Sequence, residues 1–362
     1  MWGGSEGTLF YRQPRSRGRE DALTFSDVWS HPAPGNAFEG ENGASSPRRL
    51  RRGREDALTP SRTWSPHSPA PAPQRRDQRL VPSTATPCLV RIHFPQRPGD
   101  RSKRSVTADY LSRCRTLIDR VAAQTPQIQQ TARLFADTIL SGRMVHLFGS
   151  GHSRILVEEM WPRYGSFPGF NPIVELSLSF HNLVVGANGQ RQAMFLENVS
   201  GLAERILRNY DLSPKDSALV VSSSGCSRVP VEMAEEFRRR GVPVVAIISR
   251  EHSEASRSVR EDGRKLQDFA DLVLDTGAPV GDAMVRVPGL DTPVAPGSTV
   301  GGCLLVNSIK AEVAALLTAA GHPPRVLTAA AVVGAERATA LFESAYDEHA
   351  RRLATLYQTI GL

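Results

Sequence analysis

The 362-residue chain has only four cysteines, Cys88, Cys114, Cys226 and Cys303. They stand too far apart to form a disulfide framework or a metal knuckle, so a reducing compartment is expected. No stretch approaches the roughly 18 apolar residues of a membrane span, and no charged start leads into an apolar signal segment. A cytoplasmic protein without a membrane partner is the reading. The histidines do not fall at i, i+4 spacing beside a carboxylate, which gives no ground for a metal site. Finger spacing and aromatic-plus-basic modules are missing too, so no nucleic-acid partner is expected.

What is present divides the chain in two. Residues 1–105 hold 18 Lys and Arg against 10 Asp and Glu, and 13 of the 26 prolines. Apolar residues there follow neither helical nor strand spacing, so the segment cannot bury enough surface to offset its ordering entropy. It reads as a disordered basic tail. Within it, Arg17-Gly-Arg-Glu-Asp-Ala-Leu-Thr24 recurs letter for letter at Arg52 to Thr59. Two copies are too few for a solenoid. They fit duplicated upstream DNA read in frame, with a native start expected near Val106.

The folded part is expected over residues 106–362. Helical spacing runs through Leu111, Cys114, Leu117, Ile118 and Val121, then Ile128, Leu134, Phe135 and Ile139, with a break at Pro126 and a stop at Gly142. Apolar runs follow at 144–148, 217–221, 242–248 and 272–274, continuous as in buried parallel strands. Amphipathic segments at 155–161, 202–208, 231–240 and 300–317 alternate with them. The pattern predicts an α/β fold of three αβα layers, a doubly wound, mostly parallel, flavodoxin-like sheet behind a helical N-terminal pair. A further strand is expected over 173–178, where the sheet order changes.

In such sheets ligands sit beyond the carboxyl ends of the strands. The first strand leads into Gly149-Ser150-Gly151-His152-Ser153, and the second into Ser222-Ser223-Ser224-Gly225-Cys226-Ser227, each entering a helix. Hydroxyls and free N–H groups at a helix start suit a phosphate monoester without needing a lysine. A dinucleotide fingerprint fits worse, because Arg154 stands where its third glycine belongs.

These two loops, the segment Ile247-Ile-Ser-Arg-Glu-His-Ser253 and Pro296-Gly297-Ser298-Thr299 occur in an order that resembles the sugar-isomerase (SIS) domain family. The resemblance spans roughly residues 108–317. Family members include phosphoheptose isomerase, the isomerase half of glucosamine-6-phosphate synthase and N-acetylmuramate-6-phosphate etherase. The resemblance implies that Ser222, Ser223, Ser224 and Ser227 hold a phosphate. Ser150, Ser298 and Thr299 would lie nearer the sugar hydroxyls, with Gly151, Ser153 and Gly225 completing the loops. It also implies that Glu158 or Glu159 is the general base, as in the glutamate pair of phosphoheptose isomerases, although here the pair follows the loop serine sooner.

Only one of two adjacent helical glutamates can face the site. His152 is placed to polarise a carbonyl or shuttle a proton. Glu312, Glu343 and His349 stand where relatives carry acid–base residues, while His181 and His252 are weaker candidates. The implied activity is aldose–ketose isomerisation, or related lyase chemistry, through an enediolate and without a cofactor. A non-catalytic phosphosugar sensor is the alternative, weakened by the lack of a helix-turn-helix segment. A homodimer or homotetramer is expected, packed through the first helix pair and the helix at 300–317.

Overall fold

The computed structural model describes residues 105–179 and 189–357. The basic tail, its repeat and His181 lie outside the described residues. The Ser105 hydroxyl accepts the Ala108 amide at 3.1 Å and starts α1 (Val106–Ala122). α2 (Thr125–Leu140) follows after a turn at Ala123 and Gln124. Pro126 therefore sits in the first turn of α2, where its missing N–H costs nothing, and the break falls just ahead of it. Gly142, at φ +82°, ends α2 as expected.

A sheet of five strands follows, all parallel. The strands are β1 (Val145–Gly149), β2 (Phe170–Pro172), β3 (Ser217–Val221), β4 (Val244–Ile248) and β5 (Leu272–Asp275), ordered β2-β1-β3-β4-β5. Val145 pairs with Ser217 and Gly149 with Val221. α3 (Arg154–Met160) follows β1; α4 (Leu176–Ser179), α5 (Gly189–Leu196) and α6 (Leu202–Leu207) lie between β2 and β3; α7 (Arg228–Arg239) and α8 (Arg250–Ala255) follow β3 and β4. A hairpin of β6 (Ala283–Val285) and β7 (Val294–Pro296) leads to α9 (Ser298–Ala319), then α10 (Ala330–Val333) and α11 (Ala335–Ala354).

Side chains alternate between two cores. Val145, Leu147, Leu219, Val221, Val245 and Ile247 face α2, α3 and α9. Phe148, Ala218, Val220, Val244 and Ala246 face α6 and α7, where they meet Leu207, Ala234 and Phe237. The three-layer doubly wound architecture is the one expected.

Two details differ. The extra strand is Phe170–Pro172 rather than 173–178. Pro172 ends the ladder, and the Glu175 carboxylate accepts the Leu178 amide at 2.9 Å, turning the chain into α4 instead. α9 begins at Ser298, so Ser298 and Thr299 open the helix rather than precede it. Its 22 residues are also apolar and long enough to cross a membrane by length and composition alone, which the sequence reading did not find. Here Leu305, Val306, Ile309, Val313 and Leu317 pack into the core on α2 and α3.

α9 comes this close because of two glycines. A Cβ on Gly301 would lie 2.0 Å from the Thr276 carbonyl oxygen, and one on Gly302 would lie 2.3 Å from Leu156 Cδ2. The carbonyl is fixed backbone, whereas the leucine methyl can rotate. Urea unfolding should show Gly301→Ala destabilised by roughly 1–3 kcal/mol and Gly302→Ala by less.

The amino ends of the strands carry a buried polar cluster. Arg143 donates to both oxygens of Asp216 at 2.9 and 2.7 Å, the Ser213 amide donates at 2.7 Å, and His146 Nε2 stands 3.6 Å away. The Asn171 amide contacts His146 Nδ1 at 3.0 Å, so the cluster ties β2 and β1 to the start of β3. Burial pushes the Asp216 pKa up, but the nearby His146 ring and the hydrogen bonds from Arg143 outweigh it and hold the carboxyl at about 2. A depressed folded pKa adds stability that is complete above the unfolded value and disappears as pH falls through the folded one. Between pH 3.8 and about 2, wild type should lose roughly 2 kcal/mol in acid urea titrations that Asp216→Asn does not lose.

Candidate functional site

The sheet order reverses direction between β1 and β3, and the crevice above those two strands receives the loops after both. Gly151 and Gly225 take φ of +55° and +63°, which lets each loop turn sharply into its helix. A cavity of about 120 Å³ opens beside them. It is lined by His152, Ser153, Ser223, Ser298 and Thr299, together with Leu156, Val221, Ile247, Thr276 and Asp282. Five of the residues read from the sequence are thus brought together.

Most of the serine loop is committed internally. The Ser222 hydroxyl accepts the Gly225 amide at 3.2 Å, and the Ser224 hydroxyl accepts the Cys226 amide at 3.2 Å. The Ser223 carbonyl accepts the Ser249 amide at 2.9 Å, which fixes the loop to the end of β4. The Ser223 hydroxyl is different. It is buried with no hydrogen-bond partner, and Ser223 lines the cavity. Among the described residues, no acceptor takes the amides of Ser223 and Ser224. Burial raises the Cys226 thiol pKa, so that group stays protonated beside the loop.

Across the strand tips stands a residue that the sequence reading missed. Glu197, just after α5, accepts the Ser150 hydroxyl at 2.7 Å and the Ser227 hydroxyl at 3.0 Å. Its carbonyl accepts the Val229 amide at 2.8 Å, and Asn198 accepts the Arg228 amide at 3.4 Å. The first amides of α7 are therefore already occupied, and Ser150 and Ser227 point at a carboxylate. No local motif marks Glu197, which reaches the two loops only through the packing of α5.

The glutamate pair diverges, as adjacent helical positions must. Glu158 pairs with Arg154 at 2.9 Å and borders an apolar recess with Trp161 and Ile173. Glu159 turns to Arg163 at 2.6 Å and to Asn307 at 3.2 Å, with Lys310 Nζ 3.7 Å away. Burial would raise its pKa, but the hydrogen bonds from Asn307 and Arg163 and the Lys310 charge hold it below the usual range. Neither glutamate lines the cavity, and nor does Glu197, whose serine partners belong to the two loops beside it.

Other candidates lie elsewhere. Glu312 meets Gln129 at 3.4 Å on the α2 side of α9. Glu343 borders a surface recess with Tyr164 and Phe342. His349 is buried edge-on against Trp161, its ring 4.8 Å away, and burial lowers its pKa. His252 Nδ1 accepts the Gly281 amide at 3.1 Å. Among the described residues, no group of three His, Cys, Asp or Glu side chains is placed to hold a metal ion.

The SIS domain family model matches residues 109–249. A UPF0309 protein of Halalkalibacterium halodurans is 31% identical over 236 residues, 64% of this chain and 95% of the relative. The chain belongs to the UPF0309 family of SIS-domain proteins. Another UPF0309 protein, from Geobacillus kaustophilus, is 32% identical over 231 residues and 85% of its own length. Among solved structures, a phosphoheptose isomerase from Francisella tularensis aligns at 15% identity over 56% of this chain and 94% of its own, with a TM-score of 0.36. The Vibrio vulnificus NanR protein complexed with ManNAc-6P aligns at 18% identity over 59% and 65%, with a TM-score of 0.33. Both likenesses are distant, and membership of the UPF0309 family rests on the sequence matches.

A hydroxyl kept for a ligand and one kept for stability respond oppositely to deletion. Because the Ser223 hydroxyl is buried and unpaired, Ser223→Ala should leave stability unchanged or raise it by up to about 1 kcal/mol. Loss of more than about 1 kcal/mol in a thermal melt would mark the group as structural instead.

Proposed function

We propose that the crevice binds a phosphorylated sugar and catalyses aldose–ketose isomerisation or a related elimination. The observation that carries the binding half is Ser223 in the cavity wall, its buried hydroxyl unpaired and the amides of Ser223 and Ser224 without an acceptor among the described residues. Neutral donors of this kind suit a phosphate dianion and leave its release easy. The phosphate sits at this end, and the sugar runs past Leu156 and Ile247 towards Ser153, His152 and Thr299.

The catalytic half rests on Glu197. Moving a proton between adjacent carbons requires a carboxylate or imidazole held in place within hydrogen-bond reach. Glu197 is half-buried, oriented by two serine hydroxyls, and stands between the loops that flank the crevice. None of the three glutamates is in the cavity lining, but Glu197 is bonded to both ligand loops, whereas the partners of Glu158 and Glu159 are Arg154 and Arg163 on their own segment. Under this reading the protein works in the cytoplasm as a homodimer or homotetramer.

Titration calorimetry and thermal shift with a panel of sugar phosphates, each beside its free sugar, test the proposal. At 100 times its Kd a true ligand adds about 2.7 kcal/mol of stability. One phosphosugar should stabilise the protein where its free sugar does not, and Ser223→Ala should weaken it roughly tenfold. Glu197→Gln should cut turnover of that compound at least 100-fold while its binding survives. Binding without turnover in wild type would leave a phosphosugar-binding protein that does no chemistry.

A further inference from the structure

The cavity wall carries polar groups of opposite character. At the serine loop the available groups are donors, the Ser223 hydroxyl and the amides beside it. On the β6–α9 side stands Asp282, the one carboxylate in the cavity wall. It is rigidly placed. Its Oδ1 accepts the Gly297 amide at 3.0 Å and the Ser298 amide at 2.7 Å, and its Oδ2 accepts the Ser298 hydroxyl. Its backbone holds φ +57°, a left-handed conformation that Asp tolerates better than most residues but that still needs surrounding support.

The start of α9, whose first amides point out of the helix, would otherwise attract an anion. Asp282 fills it with an internal anion. Ser298 is engaged by the same carboxylate, so of the two residues expected to meet sugar hydroxyls at this end, Thr299 is left to do so.

We infer that Asp282 is a specificity determinant, restricting the ligand to sugar monophosphates whose far end bears hydroxyl, carbonyl, amide or amine groups and no second acid. The inference rests on the proposed phosphosugar site and adds the direction in which the ligand lies and the class it excludes. A carboxylate or second phosphate at the ligand's far end would meet Asp282 inside a cavity that holds no lysine or arginine in its wall to offset the repulsion.

The test takes the best-binding aldose phosphate from the panel and compares its alditol phosphate with its aldonate phosphate. These two ligands differ only in –CH2OH against –COO⁻ at the carbon farthest from the phosphate. Calorimetry on wild type should give an aldonate Kd at least about tenfold weaker than that of the alditol. Asp282→Asn, which keeps an acceptor for the α9 amides, should bring the ratio near one.

Should that variant fail to fold, the wild-type ratio is measured from low to high salt, where electrostatic discrimination must shrink. Equal affinities in wild type, or a ratio that neither Asp282→Asn nor salt changes, would overturn the inference while leaving the phosphosugar site standing. Binding of no sugar phosphate at all would remove the proposed function, and this inference with it.

Discussion

The parallel register of β1 against β3 is the constraint on which the ligand end of the molecule depends. With Gly149 opposite Val221, the two loops leave the sheet at the same height, so Ser150 and Ser222 begin their turns side by side. Because the chain then crosses outward in opposite directions, towards β2 on one side and β4 on the other, nothing of the sheet covers the gap between them. Glu197 can bridge the two serine loops only because that gap exists. A shift of one residue in this pairing would turn the side chains of the strand that moved, Leu147 on β1 or Val221 on β3, away from the α9 core and offset the two loops.

Much of this was legible in the sequence. Continuous apolar runs marked β1, β3, β4 and β5, since a strand covered by helices on both faces has no polar side to alternate with. The two Gly/Ser loops announced themselves by composition, and His152, Ser153 and Ser223 from them line one cavity with Ser298 and Thr299. The strand at Phe170–Pro172 was harder to read, because three residues leave too short a pattern and Pro172 argues against a strand of any length. Ser298 and Thr299 were placed one step too early, because α9 has no side-chain N-cap of its own and borrows a carboxylate from Asp282, sixteen residues upstream.

What stayed hidden was the origin of the carboxylates at the site. Glu158 and Glu159 were conspicuous for standing near a loop serine, but a helix turns 100° per residue, and the partners Arg154, Arg163, Asn307 and Lys310 decide where each one points. Glu197 and Asp282 belong to no motif. Each is brought to the crevice by backbone that folds back from another element, and each is recognisable only by the amides and hydroxyls gathered round it. Chain proximity to a loop was a weaker guide to where a carboxylate points than its hydrogen-bonding partners.

The Asp216 cluster and the serine loops occupy opposite ends of the same strands, separated by roughly 13 Å of sheet at about 3.3 Å per residue. Substitutions that far apart, with no shared partner, add rather than couple. The scaffold's robustness and the chemistry of its mouth are therefore close to independent variables. A lineage built on this sheet can exchange the groups around Ser223, Glu197 and Asp282 to accept a new ligand without reopening the question of whether it folds.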